Sequence, residues 1–446
     1  MRKLVAGLFF FLFSLVANQA FALLSMELTR GVSGAVPIAI VPFAVEGQAP
    51  SQDMASIISN DLQNSGRFKV LGGDKITSFP SNAGDVQYDY FRRLGADNLV
   101  VGKVQEVGPD RYQVQFQLLD VFKGKNAAQS GQQPILLSQK ITVSGSQLRA
   151  LAHHVSDLVY QQITGVKGVF STRLAYVVVQ RSPAVTHYTL EVADQDGYNP
   201  RPLLSSTDPI MSPDWSPDGK KIAYVSFENK QSSIYVQDVA TGERHLMTQY
   251  PGINGAPSWS PDGHKLALVL SKGDTIDQKG TPSIYIMDLG SHQLTRLTKD
   301  FNINTEPAWS PDGRKIIFTS NRSGNAQIYQ IDLGSRATSR VSYDGKYNAR
   351  GSFTPDGNHI VMINQGSGMY NIGILDLDSG TLRVLTNSDT DHGSPSMAPN
   401  GSMVLFETVY NGRTVLGMAA TDGSVQIRLP ARNGEVQDPA WSPFLS

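Results

Sequence analysis

From about residue 170 onward the apolar and polar positions of the chain repeat. Short apolar runs such as Ile222-Ala223-Tyr224-Val225 follow proline-led turns. DWSPDGKKIAYVS, SWSPDGHKLALVL, AWSPDGRKIIFTS, SFTPDGNHIVMIN and SMAPNGSMVLFET are copies of one unit, and a shorter AWSPFLS ends the chain. The prolines of these turns (Pro217, Pro261, Pro311, Pro355, Pro399 and Pro443) stand 44 residues apart, except for one interval of 50. All four tryptophans, Trp215, Trp259, Trp309 and Trp441, occupy one place in the unit, which Phe353 and Met397 fill in the other copies. Each unit reads as four strands: the tryptophan strand, the apolar strand after the turn, a second apolar strand such as Ile284-Tyr285-Ile286 that ends at an Asp, and a more polar one such as Gln293 to Thr298. A repeat of this length, made of short strands and tight turns, predicts β-propeller blades.

The strand count predicts how the ring closes. Leu174 to Val177, Tyr188 to Val192 and Pro202 to Leu204 are three strands with no tryptophan strand before them, whereas Asp438 to Pro443 is a tryptophan strand with no blade behind it. The two halves complete one blade. We therefore expect a six-bladed β-propeller over residues 170–446, closed by the C-terminal strand, which leaves no open sheet edge between blades. The longer interval fits a polar insertion at Thr275–Lys279.

Residues 23–165 carry no repeat. Pro37 to Phe43 is a proline-bounded strand, and Ser51 to Ser65 has helical periodicity, with Ser51 as a candidate cap and Gly66 as the stop. Phe68 to Leu71, Asn98 to Gly102 and Tyr112 to Leu118 read as strands. Tyr88 to Leu94 and Leu148 to Ile163 read as helices, the latter with Leu151, Val155, Leu158 and Val159 inward. The expected fold class is thus α+β with two domains, an N-terminal α/β domain followed by the propeller.

Composition narrows the functional classes. Arg2 and Lys3, the apolar run Leu4 to Val16, and Ala20-Phe21-Ala22 have the order of a secretory signal over residues 1–22, cleaved after Ala22. No later stretch reaches the roughly 18 apolar residues of a membrane-spanning helix, so no membrane-spanning segment is expected. The chain has no cysteine, which excludes disulfides and thiolate metal sites. Its 38 basic residues balance 39 acidic ones, without the basic excess of a nucleic-acid partner surface.

The repeated chemistry reads as structural. In each Ser-Pro-Asp-Gly turn, Pro presets φ, Asp bonds back to its own backbone and Gly tolerates positive φ, so Asp218, Asp262, Asp312 and Asp356 are expected to be turn residues. The tryptophans are expected to pack between blades. There is no G-x-S-x-G, Walker A or H-E-x-x-H motif. The adjacent His153 and His154 point about 100° apart on a helix and cannot hold one ion together. No catalytic, cofactor or metal residues are expected. The loops entering each tryptophan strand differ from blade to blade, as recognition loops on a rigid scaffold do: Asp208 to Met211, Asn254 to Pro257, Asn304 to Pro307, Asn348 to Gly351, His392 to Pro395 and Gln437 to Pro439. They crowd one mouth of the central channel.

PIAIVPF, DLQNSGRF, TGVKGVFSTRLAYV, the WSPDGKKIAYV-type units and the terminal PAWSPFLS closely resemble the TolB family of the Gram-negative Tol-Pal system. The resemblance runs through both domains in order. It implies a non-enzymatic periplasmic adaptor that binds the lipoprotein Pal at the channel mouth and TolA through its N-terminal segment. It further implies support for outer-membrane invagination and envelope integrity during cell division, with other outer-membrane or periplasmic proteins as further partners. Carried onto this chain, the Pal face comprises Ile253, Asn254, Gly255, Ala256, Pro257, Asn304, Thr305 and Glu306, with Arg350 and His392. Ile253 stands where familiar members have histidine, so its contact would be apolar. The TolA-binding segment is 23–31, where Leu24, Met26 and Leu28 alternate with Ser25, Glu27 and Thr29. Such a strand could add to a partner's sheet edge.

Two other readings remain open. One is the propeller of a secreted peptidase-like hydrolase. The other is a carbohydrate- or ion-binding propeller, in which Asp208, Glu306 and Asp438 near one mouth could hold a cation.

Overall fold

The computed structural model describes residues 27–30, 34–72, 75–130, 134–272, 280–366, 368–386, 389–429 and 434–445. The expected signal sequence, Leu24, Ser25, Met26 and the insertion at Thr275–Lys279 lie outside these residues. Among the described residues, no helix is long and apolar enough to cross a membrane.

The first strand, β1 (Glu27–Arg30), lies apart from the N-terminal domain, which is built on β2 (Val36–Ile40), β3 (Ala44–Glu46), β4 (Phe68–Leu71), β5 (Asn98–Gly108), β6 (Arg111–Asp120) and β7 (Ile135–Ser144). Its sheet runs β4-β2-β5-β6-β7, with β3 also paired to β5; β2 is parallel to β4 and β5, and β5, β6 and β7 are antiparallel neighbours. Four helices accompany it, α1 (Met54–Asn64), α2 (Tyr88–Arg93), α3 (Val121–Ser130) and α4 (Leu148–Thr164). One core joins α1 and α4 to the sheet through Ile58, Leu62, Phe116, Val155 and Val159; a second, around Phe91, Leu99, Val101 and Val121, fills the opposite face. The cap of α1 is Asp53, not Ser51: its carboxylate accepts the Ser56 N–H at 3.3 Å and the Ser56 hydroxyl at 2.6 Å. Asp reaches an N3 amide as well as Ser does, and its charge suits the positive end of the helix dipole.

The rest of the chain is the six-bladed propeller, each blade an antiparallel sheet with the tryptophan-type strand innermost. Blade 1 combines the closing strand Glu435–Trp441 with Arg173–Arg181, Thr186–Asp194 and Arg201–Ser206, so the C-terminus supplies its innermost strand. Blades 2 to 6 begin with Ile210–Trp215, Asn254–Trp259, Asn304–Trp309, Tyr347–Phe353 and His392–Met397. Blade 6 gains a fifth strand, because β1 pairs antiparallel with its outer strand Gln426–Leu429, Leu28 opposite Ile427.

The repeated residues do what turn and packing chemistry requires. Asp218, Asp262 and Asp312 each accept a 2.6 Å hydrogen bond from the preceding Ser, and Asp356 a 2.5 Å bond from Thr354; each also takes the backbone N–H two residues on. The tryptophans tie neighbouring blades together. Trp215 Nε1 donates to Ala440 O at 3.1 Å and Trp309 Nε1 to Ser258 O at 3.2 Å, whereas Trp441 Nε1 bonds Thr172 Oγ1 at 2.8 Å.

The N-terminal domain sits on one end of the ring. Arg67 pairs with Asp422 at 3.2 Å, Asn400 Nδ2 donates to Lys167 O at 2.9 Å, and Arg149 pairs with Asp194 and Asp196. All these propeller residues lie in or beside turns on the face where the inner strands end. The face where the inner strands begin is left open.

Candidate functional site

Every inner strand carries the same irregularity. Its register against the second strand slips by one residue, between Gly255 and Ser258 in blade 3 and at the matching place in the other five. The bulged residue is left-handed in all six: Ser212, Ala256, Glu306, Arg350, Ser394 and Asp438 have φ between 45° and 53°. None is glycine, so each conformation costs energy that the ring must offset. Proline follows in five blades and Gly351 in the sixth. Proline has no N–H to leave unpaired at a bulge.

These six side chains line a channel cavity of about 180 Å³. Arg350 organises it. Its Nε bonds Glu306 Oε1 at 3.1 Å, its Nη1 bonds Asp438 Oδ1 at 3.1 Å, and it also contacts Ser394 Oγ. One guanidinium on blade 5 thereby links blades 4, 6 and 1. Glu306 is fully engaged, since its Oε2 accepts the Arg350 N–H at 3.0 Å and the Thr319 hydroxyl at 2.7 Å. Behind them Glu407 accepts the Asp438 N–H. Burial alone would lower the hold of Arg350 on its proton, but Asp438, Glu306 and Glu407 more than reverse this and raise it above the ordinary value. Burial, with the charge of Asp438, pushes the Glu407 carboxyl upward. The three carboxylates thus already have a cation in Arg350. Asp208 does not line the cavity, so the trio Asp208, Glu306 and Asp438 does not converge as a cation site.

The expected partner face divides in two. Asn254 and Asn304 are fully buried. Asn254 braces its own loop, accepting the Tyr250 N–H at 2.9 Å and donating to Tyr250 O at 2.6 Å, while Asn304 donates to Asp300 Oδ1 at 2.9 Å. His392 is buried edge-on against Phe406, and burial lowers its pKa to about 4, so it is neutral. Pro257 is buried, while Ala256, Glu306 and Arg350 face the channel. Gly255 and Thr305 are half-buried at the rim, and only Ile253 is exposed.

Sequence reading missed the exposed neighbours. Phe301, Ile303, Tyr343 and Met369, with Ile253, keep between 46% and 70% of their surface exposed, and Met211 borders them at 36%. They stand on loops that enter inner strands or join second to third strands, or at the start of an inner strand, and so open on the face away from the N-terminal domain. The signal for two of them is the repeated Ile-Asn, Ile253-Asn254 and Ile303-Asn304: the Asn is buried as a brace and the Ile before it is turned outward. The N-terminal segment contributes Glu27, Leu28 and Thr29 as the strand β1.

Comparison with known proteins agrees with this architecture. The TolB beta propeller domain matches residues 160–445 and the TolB amino-terminal domain residues 24–127. A Tol-Pal system protein TolB from Coxiella burnetii is 54% identical over 430 residues, 96% of this chain and 95% of the relative. One from Legionella pneumophila is 51% identical over 442 residues, 99% of both. The crystal structure of TolB from Acinetobacter baumannii matches with a TM-score of 0.85 at 40% identity, over 94% of this chain and 100% of that one. With both domains matched in order and the same fold throughout, the chain belongs to the TolB family of the Tol-Pal system.

Proposed function

We propose that the chain is a non-enzymatic periplasmic adaptor that binds Pal at the channel mouth and TolA through residues 23–31, supporting outer-membrane invagination and envelope integrity at division. The observation that carries the Pal reading is the group of exposed apolar side chains around the mouth, on the face the N-terminal domain leaves free. Exposed apolar patches with polar surroundings mark protein interfaces. A preformed rim needs little reordering on binding, which favours affinity.

Ala256 makes a poor probe of this site, because its left-handed backbone and channel position would strain any large side chain. Ile253→Asp and Ile303→Asp place a charge on exposed positions instead, so they should leave the melting temperature unchanged. In calorimetric titration with the soluble domain of Pal, each is expected to weaken binding by about tenfold or more. Unchanged affinity in both would move the interface elsewhere.

For TolA, the reading rests on β1 being the first described strand, held at the outer edge of blade 6 by main-chain pairing. The same main-chain groups would serve in strand addition to a partner's sheet, so the docked and engaged states compete. Deleting residues 23–31 should abolish TolA binding and leave Pal binding intact or tighter, measured by titration with each partner. Loss of Pal binding in the deletion would count against two separate sites.

A further inference from the structure

On the face opposite the mouth, the two domains meet at a buried polar cluster. His153 of α4 is 3% exposed; its Nδ1 lies 2.8 Å from Asp61 Oδ2 of α1, which also accepts a 2.7 Å bond from Ser156 Oγ. The propeller reaches into this cluster through the turn that follows Thr186–Asp194. One ligand-type atom each from Asp61, His153 and Asp196 lie within 4.8 Å of one another. Arg149, one turn before His153 on α4, contacts Asp196, bonds Asp194 at 3.4 Å and stacks 3.9 Å over the Tyr198 ring. Asp61, Asp196 and the Nδ1 of His153 each have a protein partner, whereas the buried Nε2 of His153 has none among the described residues.

The charged groups acting on His153 are Asp61 from α1, Arg149 from its own helix, and Asp194 and Asp196 from the propeller. Asp157, further along α4, is turned to the interdomain linker, where it accepts the Phe170 N–H at 2.8 Å and the Ser171 N–H at 3.2 Å. With His153 neutral, Asp194 and Asp196 have Arg149, Arg173 also acts on Asp194, and Asp61 has no cation; with His153 charged, Asp61 gains one and Asp196 a second. A carboxylate left unpaired out of water is costly. Packing does not fill this side of the interface, because a cavity of about 810 Å³ opens between the domains, lined from both by Tyr112, Arg149, His153, Tyr198, Arg201 and Leu445.

We propose that His153 is a proton-operated clasp between the domains, holding the Asp194–Tyr198 turn of the propeller against α4 while charged and loosening it when neutral. The direction follows from linkage. Burial by itself would lower the pKa of His153, but the charge and hydrogen bond of Asp61, aided by Asp196, outweigh it and raise the value above the ordinary 6.5. Asp61 acts on His153 whether or not the domains are docked, so only the part of the rise due to Asp196 favours the docked form, and that part is lost as pH rises through the docked-state value. The clasp therefore opens as pH rises through the raised value.

The absence of native cysteine allows a direct test on the full chain. Spin labels at Lys140→Cys in the N-terminal domain and Thr338→Cys in blade 4 report the interdomain distance by pulsed electron resonance; both positions are exposed. A single narrow distribution at pH 5.5 that broadens or gains a second component at pH 8.5 is expected. In His153→Gln the distribution should be the same at both pH values. Asp196→Asn leaves the Asp61–His153 pair within the N-terminal domain intact and should lose the pH response too, which guards against His153→Gln failing to fold. An unchanging wild-type distribution, or a pH response that survives in both variants, overturns the clasp. So does narrowing at pH 8.5 on adding zinc chloride that His153→Gln removes, which would make the cluster a metal site instead.

Discussion

Replacing Arg350 with methionine is expected to destabilise the propeller on the order of 3 kcal/mol at pH 7.5, the lower end for breaking a buried ion pair. The lower end applies because about a third of the Arg350 side chain still faces the channel, at 32% exposure. Methionine keeps much of the side-chain volume and removes the charge, so the loss is electrostatic. Glu306, Asp438 and Glu407 would be left around the channel without their cation. The pH dependence has a definite sign. Carboxyls held above their ordinary pKa by mutual repulsion favour folding when protonated, so the deficit should shrink as pH falls towards 5. Urea unfolding at pH 7.5 and pH 5 measures both effects. Combining Arg350→Met with Glu306→Gln and Asp438→Asn should restore most of the loss, because the unpaired charges leave with their partner. An unchanged urea midpoint at pH 7.5 in the single variant would show that the channel network contributes nothing to ring stability.

Removing residues 435–446 should abolish cooperative folding of the propeller. The closing strand buries Val436, Ala440 and Trp441 in blade 1 and supplies the Ala440 carbonyl to Trp215 of blade 2. It also carries Asp438, one of the two carboxylates that bond Arg350 across the channel. Truncating one buried tryptophan costs about 3–5 kcal/mol, and a whole domain is stable by only about 5–15 kcal/mol. Losing the strand also exposes the edge of Arg173–Arg181, an invitation to aggregation. In thermal denaturation followed by circular dichroism, the truncated chain is expected to show no cooperative transition. A synthetic peptide of residues 435–446 should restore one in part. A cooperative melt near that of the full chain, without peptide, would mean that the ring does not depend on this closure.

Particular elements separate what was legible in the sequence from what was not. The helix Met54–Asn64 was visible in its periodicity, but its cap was misplaced at Ser51, because Asp53 and Ser51 both suit a cap and only the backbone path chooses between them. The strand Ile135–Ser144 and helix Val121–Ser130 went unread. The strand is a half-exposed sheet edge that lacks a clean alternation, and the helix carries Gly124 and a polar half. At the mouth, the sequence showed that the loops differ from blade to blade. Which of their residues face outward it did not show, since Asn254 and Asn304 look as polar and available as any surface residue until their loops close over them.

The sequence by itself determined the six-unit ring, its closure by the C-terminal strand and the roles of the turn aspartates and tryptophans. The reason is that strand, turn and tryptophan contacts are set within a blade or between adjacent ones, and their chemistry recurs from unit to unit. Only the tertiary structure decided the rest. Arg350 meets Asp438 across 88 residues and His153 meets Asp61 across 92. Each of these residues occurs once and bears no local mark of its partner. Their meaning comes from burial and mutual charge, which exist only once the ring has closed and the N-terminal domain has folded.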